Sequence, residues 1–414
     1  MPENVKVTLK PEVSDPQNYD LVIRRARIFD GYEARAGLFD VAINGGEIAA
    51  ISEEPLKGRK EINAGDGWLM PGLIDTHLHF YDFTVVTDPD TLAEFEEKEI
   101  PARLDLFLQH GVTTIKSVGD PTAEILETRA KIAAGVLRGP RLLVTGGGVC
   151  ARDSHPAATI FGGNPWFRAR SSGEVESVQQ MRDMMHYLSD RKVDAIKLLS
   201  EGACWCPGSP KYLWKNSVFP NAVEIVRMPT DIMRAGIEVA HDRGMRVTVH
   251  TTQQDAAREA VEAGADGLEH GVTVEPLTDH KLIDEIVKRG VTYTPTLWIH
   301  DPIHPNTRPN VKKMADAGVT MVLGTDSFWG RGLFGENTLE EAELMVASGM
   351  SPIQTLIAGT SNAAKQLVRP DLGTLAIGKR ADLILVDGDP TQDISNLRKL
   401  ALTILNGEIV VDKR

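Results

Sequence analysis

Pro71-Gly-Leu-Ile-Asp-Thr-His-Leu-His-Phe80 decides how this chain reads. Small and apolar residues lead into Asp75, His77 and His79, which stand at alternate positions. Side chains alternate faces along a β-strand, so the three polar groups share one face. Two imidazoles side by side are costly to bury unless a partner takes their lone pairs. On its own the pair is more often a surface feature of a strand end. Four more metal-competent groups follow, each closing a short β-like run. Lys197 lies in Val193-Asp-Ala-Ile-Lys-Leu-Leu199, His250 ends Met245-Arg-Val-Thr-Val-His250, His270 ends Gly264-Ala-Asp-Gly-Leu-Glu-His270, and Asp326 ends Met321-Val-Leu-Gly-Thr-Asp326.

Between 72 and 371 the pattern is strand, loop, helix, repeated. Strand-like runs end near His79, Ser117, Thr145, Ser200, His250, His270, Trp298 and Asp326, with helical stretches such as 255–263 and 339–348 between them. Eight such units predict an α/β fold, a (β/α)8 TIM barrel, whose chemistry belongs at the C-terminal strand ends. Alternating runs also fill both chain ends, with turn signals at Asn44-Gly-Gly46 and Asn406-Gly407. Neither end has enough strands for its own core, so 1–71 and 372–414 are expected to build one small β-sandwich beside the barrel. The first 18 residues read as an irregular arm.

The ordered set His-x-His, Lys, His, His, Asp resembles the amidohydrolase superfamily. The last strand-like run, 319–326, and Ile357-Ala-Gly-Thr-Ser-Asn362 are similar to its imidazolonepropionase and prolidase branch. The resemblance implies one metal held by His77, His79 and Asp326 and a second by His250 and His270. Lys197, carboxylated to N6-carboxylysine, would bridge the two divalent ions, since an inward ammonium beside cations is disfavoured and a neutral amine can add carbon dioxide. The alternative is a lysine snorkelling outward. Zinc suits these ligands best, with manganese, cobalt or iron also compatible. A bridging hydroxide would attack the substrate and Asp326 would shuttle its proton. His155, in Arg152-Asp-Ser-His-Pro156, is either a hydrogen-bond donor to substrate or a surface loop residue. Deaminase-type members usually carry a glutamate three residues after the fifth-strand histidine, whereas Gln253 stands there. Glu269 is expected to point away from His270, and His110, His186, His241, His280, His300 and His304 read as structural.

The 414 residues are 42% hydrophobic and 25% charged, as in a soluble globular protein. A formal charge of −13 argues against nucleic acid, and no apolar run reaches membrane-spanning length. The first residues lack a secretory core, so a cytoplasmic location is expected. Three cysteines make no disulfide framework, and Cys204-Trp-Cys206 reads as ordinary loop thiols. Aromatic residues concentrate in the segments read as active-face loops, which suggests an apolar pocket for a small-molecule substrate. Trp205, Tyr212, Trp298, Trp329 and Arg331 are the candidate substrate contacts. The expected activity is hydrolysis of a peptide or N-acyl amino-acid amide with a bulky apolar or aromatic flank, dipeptidase-like, in a homo-oligomer. A cyclic-amide, carbamate or ester hydrolase is the alternative on the same metals, and a deaminase a further one.

Overall fold

In the computed structural model, residues 18–201, 226–328 and 334–414 are described, with the backbone of Leu213–Trp214 and Val223–Glu224. The expected arm, Trp205, Tyr212, Trp329, Arg331, Cys204 and Cys206 lie outside the described side chains.

The two chain ends meet in one eight-stranded sheet. Tyr19–Phe29, Ala34–Asn44, Glu47–Ser52, Gly58–Asn63 and Trp68–Pro71 come from the first part; Leu383–Val386, Leu400–Leu405 and Glu408–Asp412 come from the last. Trp68–Pro71 pairs antiparallel with Leu383–Val386 and joins them. Both hairpin signals form as expected: Gly45 and Gly46 take φ of 58° and 82°, Asn406 and Gly407 take 49° and 80°, the left-handed backbone that such two-residue turns need. Ile23, Val41, Leu69, Leu383 and Leu402 give this sheet a core separate from the main one.

The decisive stretch leaves this sheet at Pro71 and enters the parallel region at Leu73. Gly72 makes the crossing possible, because a Cβ there would lie 2.3 Å from the Thr113 side chain. Leu73–Leu78, Val112–Ser117 and Arg141–Val144 form one parallel group. Gly148–Ala151, Ser172–Val175, Ile196–Leu199, Val247–His250, Gly267–Glu269, Thr292–Thr294 and Thr320–Met321 form another. Backbone bonds join the groups at one side, His79 N to Ser327 O (2.8 Å) and Thr325 N to His77 O (3.1 Å), and at the other, Asp194 N to Val144 O (2.8 Å). Helices lie between strands, including Gln254–Ala263 and Glu336–Ala347. Two runs end earlier than expected. The seventh stops at Thr294, because Pro295 follows and Thr296 turns at φ 47°. The eighth pairs regularly only over Thr320–Met321.

Candidate metal centre

The candidate ligands named from the sequence lie in parallel strands or follow their ends. His77 lies in Leu73–Leu78 and His79 follows it; Lys197 lies in Ile196–Leu199, and His250 closes Val247–His250. His270 sits one step beyond the strand Gly267–Glu269 and Asp326 five residues beyond Thr320–Met321, with φ of 65° and 56°. Left-handed backbone is unfavourable for such residues and persists where surrounding structure enforces it. Gly324 allows the approach on the Asp326 side, since a Cβ there would stand 2.9 Å from the Cβ of His77.

Asp326 is the hub. Its Oδ1 is 3.0 Å from His79 Nε2 and 3.4 Å from His77 Nε2, and its Oδ2 is 3.8 Å from His270 Nδ1. The His250 ring centroid lies 4.5 Å from that of His270, which lies 4.8 Å from that of His77. Ligand atoms of His77, His79 and Asp326 fall within 4.8 Å of one another, as do those of His270, His300 and Asp326. Among the described residues, Lys197 Nζ, His250 Nε2 and His300 Nδ1 are buried without a hydrogen-bond partner. Leaving buried polar atoms unpaired is unfavourable by about 1–3 kcal/mol each, so their convergence fits a site shaped for cations.

Electrostatics set the matching protonation states. Burial holds His250 and His270 well below the usual histidine range and pushes Lys197 down to about 8. Burial alone would raise the Asp326 carboxyl, but the His77, His79 and His270 imidazoles facing it hold it well below the usual carboxylate range. Neutral His250 and His270 beside an ionised Asp326 are in the forms that bind metal.

His155 is buried rather than a surface residue. Its Nδ1 is 2.8 Å from Thr159 Oγ1, its ring centroid lies 4.9 Å from that of His250 with the planes tilted by 35°, and burial takes its pKa down to about 3. It lines a pocket with His77, His79, Lys197, His250, His270 and Asp326, whose wall is Tyr81, Phe83, Ile160, Phe161, Phe167, Leu199, Ile299 and Phe328. Trp298 is not among the residues lining it; its Nε1 donates to Glu340 Oε2 at 2.7 Å.

Two expectations are corrected. Glu269 faces the site, its Oε2 2.8 Å from His77 Nδ1 and its Oε1 3.2 Å from Lys116 Nζ. The strand ends at Glu269 and the left-handed turn at His270 breaks the alternation, so neighbours in sequence face the same way. His300 also lines the pocket, its ring 4.7 Å from His270 and its pKa taken by burial to about 3. The inward lysine of Val112-Thr-Thr-Ile-Lys-Ser117 was a readable signal for the first; nothing in the sequence marked the second.

Parallel strands carrying imidazoles, an amine and a carboxylate to one apolar pocket define a metal-binding hydrolase site. The amidohydrolase family profile matches residues 68–410, and the chain belongs to that family. It is 25% identical over 402 residues to an imidazolonepropionase of Anaeromyxobacter dehalogenans, covering 88% of this chain and 89% of the relative. To the ochratoxinase of Aspergillus niger it is 23% identical over 365 residues, covering 79% and 71%. The crystal structure of a Xaa-Pro dipeptidase with methionine bound in its active site superposes with a TM-score of 0.78 at 24% identity, covering 94% of this chain and 99% of the other. That likeness gives the fold as α/β and TIM-barrel-like. The protein is a metal-dependent hydrolase of carbon–nitrogen bonds. Among the described residues no helix is long and apolar enough to cross a membrane.

Proposed function

We propose that this protein hydrolyses a peptide or N-acyl amino-acid amide bond with a bulky apolar or aromatic flank. The observation that carries the reading is the pairing of unpartnered Lys197 Nζ and His250 Nε2 with an aromatic pocket wall in one cavity. His77, His79 and Asp326 would hold one divalent ion and His250 and His270 a second, zinc suiting the set best, with Lys197 as N6-carboxylysine spanning both. Bound there, the ions supply a Lewis acid for the carbonyl and activate water near neutral pH. Asp326 accepts the proton of the attacking water and returns it to the leaving nitrogen. His155, beside His250, orients the substrate by hydrogen bonding. Phe83, Phe161, Phe167 and Phe328 take the apolar flank and keep bulk water away. In this reading the parallel groups close into a (β/α)8 barrel over about 72–371, a closure supported by the backbone bonds at both junctions, and the terminal sheet folds as the sandwich of 1–71 and 372–414.

The imidazolonepropionase likeness supports a second reading, a cyclic-amide hydrolase on the same centre. Metal analysis with a panel of aromatic dipeptides, N-acyl amino acids, lactams and carbamates separates the two. Turnover of N-acyl or dipeptide substrates by metal-loaded protein, abolished by chelation, is the expected result. Ammonia release from aminopurines as the main activity, or full turnover after chelation, overturns the proposal.

A further inference from the structure

Beneath the ligand set lies a buried pair that the reaction as described does not use. Glu269 is fully buried and Lys116 nearly so, 0% and 1% exposed. Lys116 Nζ bonds one carboxylate oxygen at 3.2 Å, and the other lies 2.8 Å from His77 Nδ1. The opposite ring nitrogen, His77 Nε2, faces Asp326 Oδ1 at 3.4 Å. An ionised carboxylate only accepts hydrogen bonds, so Nδ1 carries a proton, and Nε2 is the nitrogen left for a metal. Two parallel strands, Val112–Ser117 and Gly267–Glu269, thereby clamp a ligand carried by a third. The carboxylate would be a buried, unbalanced charge without Lys116.

We infer that Glu269, charge-balanced by Lys116, is a positioning residue that fixes the ring and tautomer of His77 for metal binding. The inference rests on the metal-hydrolase reading and adds two residues to its machinery. Carboxylate partners of metal-ligating histidines typically contribute about 10–100-fold in metal affinity. That is the loss expected here.

The test uses full-length protein stripped of metal, then titrated with zinc against a competing chromophoric chelator, and with cobalt followed by its visible spectrum. Glu269→Ala should bind zinc about 10–100-fold more weakly and shift the cobalt bands. Lys116→Met should move both readouts the same way, and Lys116→Arg, which keeps the charge, should restore them. Melting of the metal-free proteins is measured in parallel. If Glu269→Ala does not fold, Glu269→Gln carries the same comparison, since it keeps the size but not the charge. Folded variants with wild-type affinity and spectrum overturn the inference alone, and so does a loss of melting temperature without loss of affinity. A wild-type chain that binds neither ion overturns it together with the metal-hydrolase reading.

Discussion

At the residue scale, Lys197 separates a metal bridge from a packed lysine. Its buried amine is pushed down to about 8 and lacks a hydrogen-bond partner among the described residues, which fits the bridge. Lys197→Ala is therefore expected to lose at least one metal per chain and nearly all activity, with partial rescue by short carboxylic acids that supply the missing anion. Unchanged metal content and rate would make the lysine structural. Asp326→Asn keeps size and one coordinating oxygen but cannot accept a proton near neutral pH. A fall in kcat of about 10²–10⁴-fold is expected with the chain still folded and partly metallated; near wild-type turnover would remove Asp326 from proton transfer. Both residues could be singled out in the sequence because each belongs to a strand-like run that leads to the C-terminal ends where this architecture places chemistry. Glu269 was misread because its direction depends on one left-handed residue, which alternation cannot foresee. His300 closes a four-residue helix, Leu297–His300, too short to show a period in the sequence.

At the element scale, the short helix Leu297–His300 is what brings His300 and Ile299 to the pocket. Its exposed backbone donors are taken by a carboxylate from another helix: Glu341 accepts from Leu297 N at 2.9 Å and Trp298 N at 2.6 Å. Burial pushes the Glu341 carboxyl up to about 8, with these two donors acting against the rise. The folded protein thus holds a proton that the unfolded chain releases from about pH 4.5 upward. Its stabilising contribution is complete below that pH and is lost as pH rises through about 8. Glu341→Gln cannot titrate there. The stability of wild type relative to this variant should decline between pH 5 and pH 9 in paired urea unfolding curves, and a constant difference would refute the assignment. The sequence reading placed this segment in the seventh strand, since Val291-Thr-Tyr-Thr-Pro-Thr-Leu-Trp298 is β-rich by composition. Pro295 and the left-handed Thr296 end the strand instead. The terminal hairpins were legible for the opposite reason, because Gly45-Gly46 and Asn406-Gly407 supply the required backbone themselves.

At the scale of the whole molecule, the proposed ligand set would tie the parallel region together. His77 and His79 come from its first strand, Asp326 from beyond its last, and Lys197, His250 and His270 from strands between. No unfolded chain holds these groups together, so an ion binds the native state far better than the denatured one and stabilises by mass action. At free metal one hundredfold above Kd the gain is about 2.7 kcal/mol per site. Chelated protein should therefore melt several degrees below metal-loaded protein, with full recovery when zinc, manganese or cobalt is returned. Lys197→Ala should retain only part of this shift, because the bridge between the two positions is gone while His77, His79 and Asp326 remain. The terminal sheet supplies a contrast. It contributes none of the proposed ligands and keeps its own core of residues such as Ile23, Leu69 and Leu402. Hydrogen exchange should accordingly show metal-dependent protection at the strand ends around His77, His250 and Asp326, and little change in Tyr19–Phe29 or Leu400–Leu405. Equal melting temperatures with and without metal, or protection spread evenly over both regions, would mean that the centre does not cross-link the fold as its geometry requires.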